Sequence, residues 1–149
     1  EEPVWPPENF AALAALRADY NIPIAAGGNA CTHWQFESMF DSGAVDFAQP
    51  SVTKVGGVTE FLKVDEAARK RQVSVAPHSP YFGPGLLATA QLISAMTGDI
   101  PIERFYMEPQ ASLYGAAIDP VDGEFRVPEG PGLGLDPDPD VIREYRIND

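Results

Sequence analysis

Three short apolar runs in this chain each end in a polar or glycine-rich turn, and each turn opens into a helix-like segment. The runs are Ile22-Pro23-Ile24-Ala25-Ala26, Ala44-Val45-Asp46-Phe47-Ala48-Gln49 and Val73-Ser74-Val75-Ala76. Their turns are Gly27-Gly28-Asn29, the stretch from Pro50 to Gly57, and Pro77-His78-Ser79. Runs this short, bounded by glycine and proline, read as strands rather than helices. Strand, polar tip, helix, repeated, is the pattern of a parallel α/β barrel. In such a barrel the tips of successive strands share one rim and carry the chemistry.

The helices between the runs have their own signals. Phe10 to Asp19 is alanine-rich with a helical period. Thr32 stands where it caps a helix through Trp34 to Phe40, and Gly43 stops it. Val58 to Arg71 is the clearest helix, with acids early and bases late, matching the helix dipole. Gly83-Pro84-Gly85 opens another helix, Leu86 to Met96. A fourth strand is expected at Glu103 to Met107, ending at Glu108-Pro109. The unit recurs after roughly 25 to 30 residues, the span of a β/α unit.

Beyond Gln110 the pattern dissolves. Asp119-Pro120-Val121-Asp122-Gly123 reads as a turn, since its acids are spaced wrongly for a calcium loop. Phe125 to Val127 reads as a short edge strand, Glu129 to Gly134 as a loop, and Asp140 to Tyr145 as a short terminal helix. Asp136, Asp138 and Asp140 read as a solvated acidic loop rather than a metal site.

Bulk properties narrow the partners. The 149 residues suit one domain or a piece of a larger one, and 44% hydrophobic content supplies a core. A net charge of -12 disfavours nucleic acid. One cysteine, Cys31, excludes a disulfide framework and a Cys-rich zinc site, and fits a cytoplasmic setting. No apolar run reaches the ~18 residues of a membrane span, and no signal peptide is expected. Glu1-Glu2-Pro3 reads like the end of an earlier element.

Several stretches together resemble a known family. They are Ile22-Pro-Ile-Ala-Ala-Gly27, Val45-Asp-Phe-Ala-Gln-Pro50, Thr53-Lys-Val-Gly-Gly-Val-Thr-Glu60, Val75-Ala-Pro-His-Ser79 and Pro128-Glu-Gly-Pro-Gly-Leu-Gly134. In this order they resemble the C-terminal barrel half of the mandelate racemase and muconate lactonizing branch of the enolase superfamily. The setting of His78 is most similar to the acid-sugar and hydroxy-acid dehydratases. The implied fold is α/β, a partial TIM-type (β/α) barrel holding roughly units five to eight plus a C-terminal return segment. Residues 1-109 would form the barrel half, and 110-149 the return segment packing on the barrel or on a capping domain.

The resemblance also implies a site. The family binds one magnesium ion through carboxylates at three consecutive strand tips. Glu1 matches the second of these ligands. The third is usually the Glu of a Gly-Glu-Asn turn, and here that turn is Gly27-Gly28-Asn29. Asn29 would then offer a neutral oxygen, and Gly28→Glu would restore the lost ligand. Five positions before Gly56 the family carries an Asp or a Lys, and here stands Ser51. In the racemase-like subgroup that Asp orients the His of the next tip, which matches His78. Glu108 falls near the last tip, where an acid often bonds the substrate.

Removing a proton alpha to a carboxylate needs a base and cationic stabilisation of the enolate. His78 suits the base, and also the acid that assists departure of a beta hydroxyl. The implied activity is that of a magnesium-dependent lyase (dehydratase) or isomerase (racemase) acting on a small carboxylate, incomplete in this chain alone. The alternative is a non-catalytic or metal-deficient scaffold, which Gly28 and Ser51 favour. The missing half is expected from the same protein or a second chain, in a homo-oligomer. Among the other residues, His33 lines the rim or serves structure, Cys31 reads as a small semi-buried residue, and Lys54 as a structural or rim residue. Trp5, Trp34 and Phe36 read as packing.

Overall fold

The computed structural model describes residues 1–147 and divides into two compact units. The first holds Glu1–His78 and Asp99–Glu103, and the second holds Ser79–Gly98 and the chain from Arg104 onward.

The first unit alternates helix and strand: α1 (Phe10–Tyr20), β1 (Ala25–Ala26), α2 (His33–Asp41), β2 (Phe47–Ala48), α3 (Val58–Lys70) and β3 (Ser74–Val75). The strands form one parallel sheet in the order β1-β2-β3, with Ala26 opposite Ala48 and Ala48 opposite Val75. Consecutive neighbours joined through helices are the local signature of a barrel wall. The ordered strands are shorter than the apolar runs that announce them. The ladder, however, runs past their ends: Asp46 N–H donates to Ile24 O at 2.8 Å and Ala76 N–H to Ala48 O at 2.8 Å.

Local chemistry explains the helix bounds. Asn9 caps α1 by accepting from Ala12 N–H, and Asn21 ends it in the left-handed conformation. Thr32 and Gln35 form a reciprocal capping box at the start of α2. In α3, Glu60 lies in the first turn and Arg69 and Lys70 in the last. α2 packs on α3, and α3 on β3. Phe36, Met39, Phe61 and Val64 are buried there, each side chain stabilising the unit by about 1.5–3 kcal/mol of transfer free energy.

The second unit holds α4 (Pro84–Ser94), a 3-10 turn (Gly115–Ile118) and α5 (Pro139–Tyr145). Leu86, Leu87, Ala90, Tyr114 and Ile118 are buried. Gln91 Nε2 ties α4 to the glycine loop through Pro128 O at 2.7 Å.

Two expected strands do not form. Residues 103–107 take no strand conformation, and Tyr106 is 88% exposed. A strand exists by pairing in a ladder, and the described sheet holds only β1, β2 and β3. The Arg104 guanidinium instead donates to the carbonyls of Phe105 and Ile118 and pairs with Asp119. Phe125 to Val127 is likewise irregular, and the nearby pairing is a single bridge between Val121 and Glu124 that closes the 119–123 turn. Among the acids, Asp138 caps α5 by accepting from the N–H groups of Asp140 and Val141. Among the described residues, no helix is long and apolar enough to cross a membrane.

Candidate active-site rim

The tips that follow β1, β2 and β3 are positioned by the ladder itself. Gln49 N–H donates to Ala26 O at 2.9 Å, and His78 N–H donates to Pro50 O at 3.2 Å. The latter bond lies two residues on from the Ala76–Ala48 rung, so His78 continues the parallel register. Its side chain is half-buried.

The first tip is made by two glycines with different tasks. Gly27 has φ +123°, a conformation that favours glycine. A Cβ there would also stand 2.5 Å from Cε1 of Phe36, whose ring fills the space beneath the turn. Gly28 is buried beneath His78. A Cβ at 28 would lie 2.7 Å from His78 Cδ2 and 3.2 Å from both Cγ and Nε2. The room that a side chain would need is filled by the imidazole.

Lys54 reaches the same glycine from the second tip. Its Nζ donates to Gly28 O at 2.8 Å and to Asn29 Oδ1 at 3.2 Å. The turn that carries Lys54 is folded onto Ser51, whose carbonyl accepts from the N–H groups of Lys54 at 3.0 Å and Val55 at 2.9 Å. Ser51 is fully buried, and its hydroxyl shares a hydrogen bond with Thr53 Oγ1 at 2.9 Å. Sequence reasoning placed Ser51 beside His78. The backbone bond from His78 to Pro50 puts the two in neighbouring register.

The other expected site residues are distributed differently. Glu1 is exposed. Glu2 is the residue that touches the rim: its N–H donates to Ala25 O at 2.9 Å and its Oε1 accepts from Gly27 N–H at 3.4 Å. Glu108 is exposed, lies in the second unit and sits on no strand. Sequence reasoning missed Gln49. It is 8% exposed, and its Oε1 has no hydrogen-bond partner among the described residues. Its place before Pro50 in the second tip was the available signal.

Flanking residues prove mostly structural. His33 Nδ1 lies 2.6 Å from Glu60 Oε2, joining α2 to α3. Lys63 and His33, in that order, hold the Glu60 carboxyl below its usual range. Phe36 is core, as expected, whereas Trp5 is 87% and Trp34 69% exposed. Trp34 stacks obliquely on the His33 ring, with centroids 4.3 Å apart. Cys31 is exposed rather than semi-buried, because the Gly27–Thr32 turn carries it outward with Sγ 3.4 Å from Asn29 O.

Magnesium prefers oxygen ligands in near-octahedral geometry, usually including carboxylates. The residues of this rim do not fit it. Position 28 has no carboxylate and His78 fills its room. Asn29 Oδ1 already accepts from an ammonium. Among the described residues, no group of three or more His, Cys, Asp or Glu side chains gathers to hold a metal ion.

The parallel strand-and-helix order and its rim define an α/β-barrel segment. The chain belongs to the enolase C-terminal domain-like family, whose description matches residues 1–141. It is 31% identical over 160 residues to a D-galactarolactone cycloisomerase of Agrobacterium fabrum, covering 100% of this chain and 42% of the relative. It is 31% identical over 153 residues to a D-galactonate dehydratase of Ralstonia nicotianae, covering 97% and 40%. Among solved structures, a mandelate racemase/muconate lactonizing protein from Paracoccus denitrificans complexed with magnesium superposes with a TM-score of 0.84. That likeness has 27% identity and covers 96% of this chain and 39% of that one. The chain therefore spans about two fifths of the length of these relatives, as a partial barrel does.

Proposed function

We propose that the protein carrying this chain acts on a sugar acid or hydroxy acid, with His78 exchanging a proton at the carbon beside the carboxylate. An imidazole nitrogen takes the proton, and the C–H electron pair passes into the enolate. Return of a proton to that carbon gives isomerisation. Loss of the beta hydroxyl, protonated by the same imidazole and leaving as water, gives dehydration. The observation that carries this reading is the setting of His78: a half-buried imidazole on the strand-tip rim, held in register by its own backbone bond to Pro50.

The relatives' names supply the substrate class, and D-galactonate is the probe they suggest. The remaining strands of the barrel belong, in this reading, to the N-terminal half of the same protein or to a second chain. Residues 1-109 serve as barrel half and 110-149 as return segment. A homo-oligomer in the cytoplasm fits the acidic surface and the single cysteine.

The test is deuterium uptake at the alpha carbon of D-galactonate in heavy water, followed by NMR on the intact protein. His78→Asn is expected to slow uptake about 100-fold or more while leaving the melting temperature in place. A second reading, a non-catalytic scaffold, is favoured by Gly28 and Ser51, where the resembling family carries acids or a base. No uptake by the unaltered protein would select it.

A further inference from the structure

We propose that Lys54 is the cation that receives the substrate carboxylate at this rim, in place of a divalent metal. The inference deepens the sugar-acid reading above and rests on it.

An enolate formed beside a carboxylate needs positive charge close by. Among the described residues no carboxylate set gathers at the rim to hold a divalent cation, and Gly28 stands where the resembling family carries one of its carboxylates. The same residue is flanked by two cation-forming groups. The His78 ring fills the space that a Cβ on it would take, and the Lys54 ammonium bonds its carbonyl at 2.8 Å. Gly28 O lies two residues beyond Ala26 O, which accepts the Gln49 rung, so Lys54 Nζ sits where the ladder gives way to the rim.

An ammonium has three N–H donors. Lys54 spends one on Gly28 O and one on Asn29 Oδ1. The third has no partner among the described residues and is left for a ligand oxygen. The two fixed bonds immobilise a side chain that otherwise loses rotamer freedom on binding. A pre-set ammonium and an imidazole that both meet Gly28 supply what an acid substrate requires: one group for the carboxylate, the other for the proton beside it.

A purely structural brace would use the same two bonds, so the test must separate the roles. The intact protein is titrated calorimetrically with sodium D-galactonate, first in EDTA and then with magnesium chloride. Binding is expected in EDTA and is unchanged by magnesium. Lys54→Met weakens it by about tenfold or more, and Lys54→Arg retains most of it. Galactitol, which has hydroxyls but no carboxylate, binds Lys54→Met and the unaltered protein alike. If Lys54→Met does not fold, the comparison of D-galactonate with galactitol on the Lys54→Arg and unaltered proteins still decides. Equal affinity for the two there overturns the proposal. So does a Lys54→Met protein that binds D-galactonate as tightly as the original. Binding that appears only with magnesium overturns it too, while leaving the sugar-acid reading in place. No binding in either condition overturns both.

Discussion

The imidazole of His78 stands where the side chain of residue 28 would begin: a Cβ on Gly28 would lie 2.7 Å from His78 Cδ2. The two residues are alternatives for one volume. The sequence suggests Gly28→Glu as the substitution that rebuilds a metal ligand, and the structure makes it an overpacking substitution. Forcing side-chain atoms into a filled site costs typically about 1–3 kcal/mol. Gly28→Glu is expected to lower the melting temperature and slow alpha-proton exchange, and Gly28→Ala to do both to a lesser degree. Thermal melts and the deuterium assay check this. A Gly28→Glu protein that gains magnesium-dependent exchange would show that the ring swings aside readily.

Asp46 anchors the start of β2 to its neighbours. Its two oxygens accept from Arg17 Nε at 2.7 Å and Arg17 Nη2 at 2.6 Å, and Oδ2 also accepts from Ile24 N–H at 2.9 Å. The hydrogen bond from Arg17 is the main cause holding the Asp46 carboxyl below its usual range, against a smaller cost of burial. An acid with a depressed folded-state pKa contributes stability above its unfolded pKa and loses it as pH falls through the folded value. Asp46→Ala is therefore expected to destabilise by roughly 1–2 kcal/mol at neutral pH. The gap from the unaltered protein closes in acid. Urea unfolding at neutral and strongly acidic pH measures both parts.

Asp65 behaves in the opposite sense. It is 5% exposed on the inner face of α3, beside Phe61, Val64 and Ala68. Its partner Arg69 approaches to 2.9 Å but is itself 59% exposed. Burial pushes the Asp65 carboxyl up, and Arg69 offsets only part of that. An acid with a raised folded-state pKa lets the folded state hold a proton longer. Stability then declines as pH rises from the unfolded to the folded value, and the full penalty is present above both. Asp65→Asn is expected to stabilise by about 1 kcal/mol at neutral pH, with no gain in strong acid. Denaturant midpoints decide, and a loss of stability at neutral pH would show that the Arg69 pair outweighs burial.

What was legible in the chain was what local chemistry dictates. Thr32 announces α2 because its own side chain caps the helix, and the dipole-matched charges of α3 are local too. The three tips were visible because glycine and proline interrupt apolar runs. The expected strand at 103–107 was not realised, since β structure depends on a partner strand distant in sequence, which an apolar run alone does not supply. At the site, the sequence located His78, Ser51 and Asn29 on the rim. It gave no sign that His78 fills the space over Gly28, or that Lys54 folds back across twenty-six positions to the same residue. Both depend on side-chain reach across a turn. The buried Oε1 of Gln49 was hidden for the same reason.

The backbone bond from His78 to Pro50 has a consequence for substitutions at this tip. Its donor is a main-chain N–H and its acceptor a main-chain carbonyl, so the register of residue 78 does not depend on which side chain stands there. Any replacement except proline, which lacks the N–H, starts from the same address and changes only what the tip presents.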